Sequence, residues 1–514
     1  MMFNFYYFII LLFYYFIILL FIIYITVQYI TYILSYYNMY DYTIIGAGPT
    51  GLTIAWILAK YGYKVLIIER ESTVGGCHRV IRVNGLFTEH SPRMYVGNWH
   101  TLQLILQDMG YNFTDIFAYN FGSFNIISKI IKKLSPSEIL SFIKEYTKFM
   151  VNNDHSKHTT LKEFMDTNNF SDKSKEIIDS LARLTDGAGM NKYTLYQFLQ
   201  LPNQNFLYNY YQPKKPNDVG LFKLWLDALD STGNVTLFLD SEVLNLNNTG
   251  NLINMIKIKK DNKIMDINCK TCIFAIPPKN IINILNQNKN IMNAFGKFDE
   301  YNSWAMNTSY LQFISATFHW ETKLKVKPDW HIPDTDWLVA YIILSNYMDF
   351  EDDRSKTVIS VCATKTDRIS KFINKTPDEC TEEELKNELF RQLKESLGDM
   401  DIIEPDFSIL SPELYKKNNI WTSSDSAFIY TLDGHKTYKS ELFENLYSVG
   451  THNGNSEYNF TSMESAMSNA MNFINHIIPE TKKAYHIERI ITINDIIGIT
   501  GIFLLIFGIY IYNI

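Results

Sequence analysis

The chain has 514 residues, and its 54 acidic side chains against 47 basic ones give a formal charge of −7 with a pI near 5.9. That balance offers no footing for a nucleic-acid surface, and the length allows two or three domains around real cores. Five scattered cysteines, Cys77, Cys269, Cys272, Cys362 and Cys380, make no disulfide framework and fit a reducing compartment.

Residues 1–40 carry no charged side chain, and from Phe3 to about Leu34 they are almost wholly Phe, Tyr, Ile and Leu. This exceeds the roughly 20 apolar residues of a membrane span. No basic start and no small-residue cleavage site mark a secretory signal. Residues 1–38 are therefore expected to be an N-terminal transmembrane segment, with a start at Met39 as the alternative.

The stretch from Asp41 to Gly76 is the most informative. Asp41 to Ile45 reads as a buried strand, and Gly46, Gly48 and Gly51 follow at G-x-G-x-x-G spacing. Leu52 to Ala59 is helical by periodicity, and Lys64 to Ile68 is a second strand ending in Glu69. Gly46 makes a tight turn, Gly48 lets a pyrophosphate approach the backbone, and Gly51 lets the helix pack on the strand. Pro49 and Thr50 open that helix, whose N-terminus faces the anion. Glu69 is placed to accept ribose hydroxyls, which favours FAD or NAD over NADP. Strand, helix, second strand and terminal acid together specify a dinucleotide site far better than the glycines alone.

After Gly76 the run CHRVIRVNGLFTEHSPRMY reads as a hairpin turning at Asn84-Gly85 and leading to Glu89, His90, Pro92 and Arg93. Residues 100–230 are expected to be mostly helical, with Thr160 and Glu163 as a capping box and an amphipathic helix over Leu221 to Leu229. From 233 to 286 strand patterning returns, with Val243 close to the adenine and a buried strand over Thr271 to Ile276 that Pro277 and Pro278 break. Cys269 and Cys272 lie on that strand without a second pair, which argues against zinc, and no metal set is predicted.

Tyr301 to Ala363 alternates as an antiparallel sheet would, and Thr381 with Glu384 caps a helix carrying Leu385, Leu389 and Leu393. Leu446 to Val449 is a short strand, Gly450 permits close backbone approach, and Met463 opens a helix, which makes a second anion site. Ile496 to Tyr512 is uncharged and about long enough for a tilted span. Lys482, Lys483 and Arg489 precede it, so the positive-inside rule puts the folded body on the cytoplasmic side.

Three stretches together resemble the FAD-dependent amine oxidase, protoporphyrinogen oxidase and phytoene desaturase superfamily: IIGAGPTGL…IIERESTVGG, SEVLNL…CIFAIPPKNIINIL and LYSVGTHNG…MESAMSNA. The resemblance implies an α/β fold, with an FAD/NAD(P)-binding Rossmann-like domain of discontinuous segments and a mixed sheet-and-helix substrate domain. It implies FAD contacts at Gly46, Gly48, Pro49, Thr50, Gly51, Glu69, Arg70, Gly76, Arg79, Val243, Gly450 and Met463. The expected parts are FAD-binding segments 39–110, 231–290 and 441–480, a helical region 111–230, a substrate domain 291–440 and a C-terminal transmembrane segment 494–513.

The chain departs from the family's pattern at several points. Cys77 stands where an arginine usually follows the Gly-Gly pair, Thr451 where an acid is common, and Asn469-Ala470 where Ser-Gly is usual. Tyr310 holds the place of a lysine that amine oxidases carry ahead of a Phe-Trp pair, so amine oxidation is unsupported and no catalytic residue is assigned.

The leading expectation is a membrane-anchored FAD-dependent oxidoreductase that takes a hydride from an apolar or amphipathic small molecule. Arg93, Trp421 and Tyr430 are its candidate substrate contacts, with Phe428 beside them. The alternatives are a flavin isomerase resembling UDP-galactopyranose mutase and a non-enzymatic binding protein resembling the Rab GDP-dissociation inhibitors.

Overall fold

A computed structural model describes residues 17–18, 40–122, 128–307, 313–326, 332–398, 401–424, 434–458 and 461–512. The expected 1–38 segment falls almost wholly outside the described residues, as do Tyr310, Phe428 and Tyr430.

The first unit is β1 (Tyr40–Ile45), α1 (Pro49–Lys60) and β2 (Val65–Ile68). β1 and β2 pair in parallel, and every residue of α1 but Lys60 is buried. A hairpin of β3 (Val80–Val83) and β4 (Leu86–Glu89) follows. Asn84 and Gly85 both take positive φ, 52° and 85°, as a two-residue turn of matching twist requires.

The next 130 or so residues are mixed, not simply helical. β5 (Tyr95–Val96) precedes α2 (His100–Asp108), and β6 (Phe117–Gly122) leads to α3 (Pro136–Val151), α4 (Leu161–Thr167), α5 (Asp172–Asp186) and α6 (Leu195–Asn205). β7 (Asn209–Pro213) then pairs with both β5 and β6. This small sheet departs from the helical expectation. Its signal was the alternating aromatics of FAYNFG and NYYQP, whose partners are far apart in sequence. The Thr160–Glu163 capping box forms as expected.

α7 (Leu221–Ser231) precedes β8 (Val235–Phe238), β9 (Ser241–Thr249), β10 (Leu252–Lys260) and β11 (Lys263–Phe274). β11 is the hinge of the architecture. Its first half pairs antiparallel with β10, and its second half pairs in parallel with β1 and with β18 (Leu446–Ser448). Burial follows the same division: the first half is exposed and the last three residues are buried, which is how a strand covered on both faces reads. β8, β2, β1, β11 and β18 thus form a parallel sheet from three distant parts of the chain. α1, α7 and α11 (Met463–Ile477) cover one face, and the helix Pro278–Leu285 helps to cover the other.

β12 (Ile314–Trp320), β13 (Val339–Ile343), β14 (Thr357–Ala363) and β15 (Phe407–Leu410) make an antiparallel sheet in the order β13-β14-β12-β15. The helix α10 (Glu382–Leu397) packs on it through Leu385, Leu389 and Leu393, capped by Thr381 and Glu384 as the sequence predicts. The strand expected from Tyr301 begins later, because Phe298–Asn307 is helical. Tyr301 and Ala305 fall on its buried face, Tyr301 stacks on Trp304 at 5.4 Å as neighbours one turn apart do, and Asp299 and Glu300 favour the helix start. The hairpin's Thr88 bonds Thr317 of β12 at 3.1 Å, tying the two halves together.

The folded body continues past residue 480. Thr481 is buried, and the Tyr485 hydroxyl donates to Asp108 at 2.7 Å. The last helix, α12 (Ile493–Tyr512), is held at its first turn, where the Asn494 amide donates to Asn203 and Asp495 pairs with Arg489. Among the described residues no helix is long and apolar enough to cross a membrane. The transmembrane span expected over 494–513 is therefore not shown by the described residues. Its first turn is polar and tied to the body at Asn494 and Asp495.

Candidate cofactor and substrate site

Four parallel strands end at one place. Ile45-Gly46 after β1, Ile68-Glu69 after β2, Ala275-Ile276 after β11 and Val449-Gly450 after β18 all line a cavity of about 710 Å³. Ligands of open α/β sheets bind at such carboxyl ends, where the chain leaves the sheet and backbone amides face outward.

The glycine spacing has a steric reading. A Cβ on Gly51 would lie 2.0 Å from the Gly46 carbonyl oxygen, so only glycine lets α1 pack this closely. Gly48 differs. Its backbone is extended, and the nearest atom to an added Cβ is the Gly76 Cα at 3.8 Å, so its missing side chain keeps the cavity open and relieves no contact. Gly76, at φ +53°, faces it across the cradle.

α1 starts at Gly48 with no capping side chain, which leaves its first amides for an anion. Glu69 is held by the Ala47 amide at 2.7 Å and the Glu71 amide at 3.0 Å. Burial raises its pKa, and those amides and Arg79 pull against the shift.

The second helix tip meets the first. Thr50 donates to the Ala466 carbonyl of α11 at 3.3 Å, and Met463, fully buried at the start of α11, lines the same cavity. Gly450 is extended, and a Cβ there would lie 2.8 Å from the His452 ring, so close packing explains this glycine. At the adenine end, Val243 pairs with Ile258 and Asn245 with Lys257. Leu244 is therefore the extra residue of a bulge, and such bulges re-aim backbone toward a site. Val243 and Leu244 both line the cavity.

The predicted cofactor residues Gly46, Gly48, Pro49, Thr50, Glu69, Arg70, Gly76, Arg79, Val243, Gly450 and Met463 are all brought to this cavity. Gly51 lies behind it as a packing residue. Arg70 pairs with Glu71 at 2.6 Å. Arg79 is almost fully buried against Glu413 at 2.5 Å, and Glu413 also accepts from His90 at 2.6 Å. Glu413, which the sequence did not single out, therefore ties the antiparallel sheet's region to the cradle. Nothing near it in the sequence signals this, because its partners lie more than 300 residues away.

A second cavity of about 280 Å³ adjoins the first, and His78, Arg93, Thr461 and Ser462 line both. Phe121, Tyr210, Tyr341 and Tyr347 are among its walls. Glu89 is buried nearby, its carboxyl pushed up to about 7 by burial with the Arg93 charge pulling against it. His78 is held well below the ordinary imidazole value by burial and by the Arg93 and His90 charges.

Of the expected substrate contacts, Arg93 reaches this junction. Trp421 does not. It packs in the core between the antiparallel sheet and α10, with its amide donating to Asp378 at 2.8 Å, and it lines neither cavity. An aromatic shortly before the last cofactor strand was there for packing, as an apolar ring on a short hairpin usually is. Tyr430 lies outside the described residues.

Cys269 and Cys272 are buried on β11, with thiol pKa values raised by burial, and among the described residues no group of three side chains could hold a metal.

Comparison with known proteins agrees with this geometry. A family described as NAD(P)-binding Rossmann-like domain matches residues 44–105. Thiamine thiazole synthases are similar over the same kind of short stretch. That of Pyrobaculum arsenaticum is 52% identical over 40 residues, which is 8% of this chain and 15% of that protein. That of Aeropyrum pernix is 53% identical over 36 residues, 7% and 13%. The chain thus matches only a small part of these relatives' length.

Whole-chain likeness is structural. Putrescine oxidase bound to putrescine superposes with a TM-score of 0.61 at 14% identity, over 86% of this chain and 99% of the other. An oxidoreductase from Methanosarcina mazei gives 0.58 at 13%, over 84% and 99%. A putative protoporphyrinogen oxidase from Exiguobacterium gives 0.52 at 12%, over 85% and 98%. The chain shares with these proteins a mixed α/β fold with a Rossmann-like domain and further sheets.

Proposed function

We propose that the chain is an FAD-dependent oxidoreductase that removes a hydride from an apolar or amphipathic small molecule. We include in the proposal that its terminal apolar segments hold it at a membrane, with the body on the cytoplasmic side. The observation that carries the reading is the junction of the two cavities, a glycine-walled cradle at the ends of four parallel strands opening into an aromatic-lined chamber. The cradle fits FAD. Gly48 and Gly76 leave room for a pyrophosphate against the uncapped start of α1, Glu69 suits a ribose, and the bulge at Leu244 suits an adenine.

FAD, when bound, supplies the two-electron acceptor. The chain's own part is to orient the substrate and exclude water, which the walls of Phe121, Tyr210 and Tyr341 do by burying its apolar body. His78, kept neutral, lines both cavities and has a buried Nδ1 without a hydrogen-bond partner. Support for membrane attachment comes from α12, where Ile502, Phe503, Leu504, Leu505, Ile506 and Phe507 are each more than half exposed. Lys482, Lys483 and Arg489 precede that helix.

The test is anaerobic mixing of the FAD-loaded full chain with a panel of lipophilic hydride donors, followed by air. Bleaching of the flavin colour by at least one donor, with recovery in air, is expected. A chain that binds FAD tightly yet is bleached by none of them, while dithionite reduces it, contradicts the oxidoreductase reading.

A further inference from the structure

The second cavity has an unusual charge inventory. Among the described residues no Asp or Glu lines it, and Arg93 is the one lining side chain that carries a full charge. That guanidinium is fixed in place. A terminal nitrogen donates to the Cys77 carbonyl at 2.5 Å, and the Arg93 carbonyl accepts from Gln212 at 2.6 Å. Its Nε is buried and has no hydrogen-bond partner. An arginine cannot shed its charge, and its donors form a planar fork that matches a carboxylate. The two neighbours that could cancel or compete with that charge do neither in full at neutral pH, since burial favours the protonated acid at Glu89 and the neutral ring at His78. The remaining walls are apolar or neutral, with Phe121, Tyr210, Tyr341 and Ile342 prominent.

We infer that this cavity takes an apolar, ring-bearing molecule with a carboxylate seated on Arg93, and that it rejects cationic amines. A carboxylate finds forked donors in a low-dielectric chamber, where charge-assisted bonds are strongest. An ammonium would be desolvated beside a like charge, with no carboxylate among the described lining residues to pair it. Putrescine, bound in a protein of the same fold, has two cationic ends and would find no carboxylate among the described lining residues. The inference deepens the proposed function by naming its substrate class. It rests on that reading only for the role of the molecule, because the binding preference holds with or without a flavin.

The test is calorimetric titration of the purified full chain with phenylpropanoate, phenylpropanol and phenylpropylamine, which share one apolar body and differ in the end group. The acid is expected to bind about tenfold more tightly than the alcohol or better, with the amine weakest. Arg93→Met should bring the acid to within about threefold of the alcohol, and Arg93→Lys should keep part of the preference. An amine that binds as tightly as the acid, an acid preference that survives Arg93→Met, or no heat with any of the three overturns the inference. Should Arg93→Met not fold, the wild-type ranking and Arg93→Lys decide. A colourless protein that still ranks the acid first sinks the flavin reading and keeps this one, and a flavin-bound protein that ranks the amine first does the reverse.

Discussion

Gly48 and Gly51 share a side chain and a motif, yet they answer to different constraints. At Gly51 a methyl group would sit 2.0 Å from a carbonyl oxygen inside the protein, whereas at Gly48 it would meet little but the cavity. Gly51→Ala is therefore expected to lower stability by about 2 kcal/mol or more through forced backbone shifts. Gly48→Ala should change it by less than about 0.5 kcal/mol while weakening FAD binding. Urea unfolding of the two variants without cofactor, set beside FAD titrations, checks both. Equal destabilisation would undo the assignment of Gly48 to the cofactor.

Glu89 gives a pH test at the same scale. Its carboxyl is raised to about 7 in the fold, against about 4.3 in an unfolded chain. The folded state thus holds a proton that the unfolded state has released, and stability falls as pH rises across that window. Glu89→Gln, which keeps the neutral form, should gain on wild type by on the order of 3 kcal/mol between those limits. A difference that stays flat with pH would mean that Glu89 is ionised in the fold.

At the scale of elements, the contact that joins the two halves is the buried cluster of Arg79, His90 and Glu413. Glu413→Gln removes the carboxylate charge 2.5 Å from Arg79, and should cost about 3 kcal/mol. The double variant Glu413→Gln with Arg79→Met should recover most of that loss, because it also removes the buried charge that Glu413 balances. Denaturant midpoints of the three proteins measure it. An additive pair would show that the cluster does not act as a unit.

What the sequence made legible follows the range of the interactions. The Gly46–Glu69 unit, the Asn84-Gly85 turn and the caps at Thr160 and Thr381 are set by neighbours within a few residues, and the structure has them. The pairing of β5, β6 and β7 and the partnership of Arg79 with Glu413 depend on residues brought together only by the whole fold, so the aromatics of FAYNFG could hint at a strand but not at its partners, and nothing local announced the ion pair. Trp421 failed as a site residue for the converse reason: an apolar aromatic looks the same in sequence whether it lines a chamber or fills a core.

At the scale of the molecule, the folded body ends in the first turn of the last helix, where Asn494 and Asp495 are tied to it. Tyr485 and Ile490 belong to the body, while the exposed apolar surface of α12 begins at Ile496. A chain of residues 39–495 is expected to keep its thermal midpoint within a degree or two and to lose flotation with phospholipid vesicles. A chain ending at 480 should also unfold several degrees lower, having lost the Tyr485–Asp108 bond and the buried Thr481. Flotation undiminished in the 39–495 chain would assign vesicle binding to another surface.

The account as a whole stands on one cofactor held between the starts of α1 and α11. Its most direct test is the visible spectrum of the full chain after purification with added FAD and removal of the free cofactor by gel filtration. A yellow protein carrying close to one flavin per chain, with the colour lost in Gly48→Val but not the fold, is the predicted result. A well-folded wild-type chain that emerges colourless contradicts it.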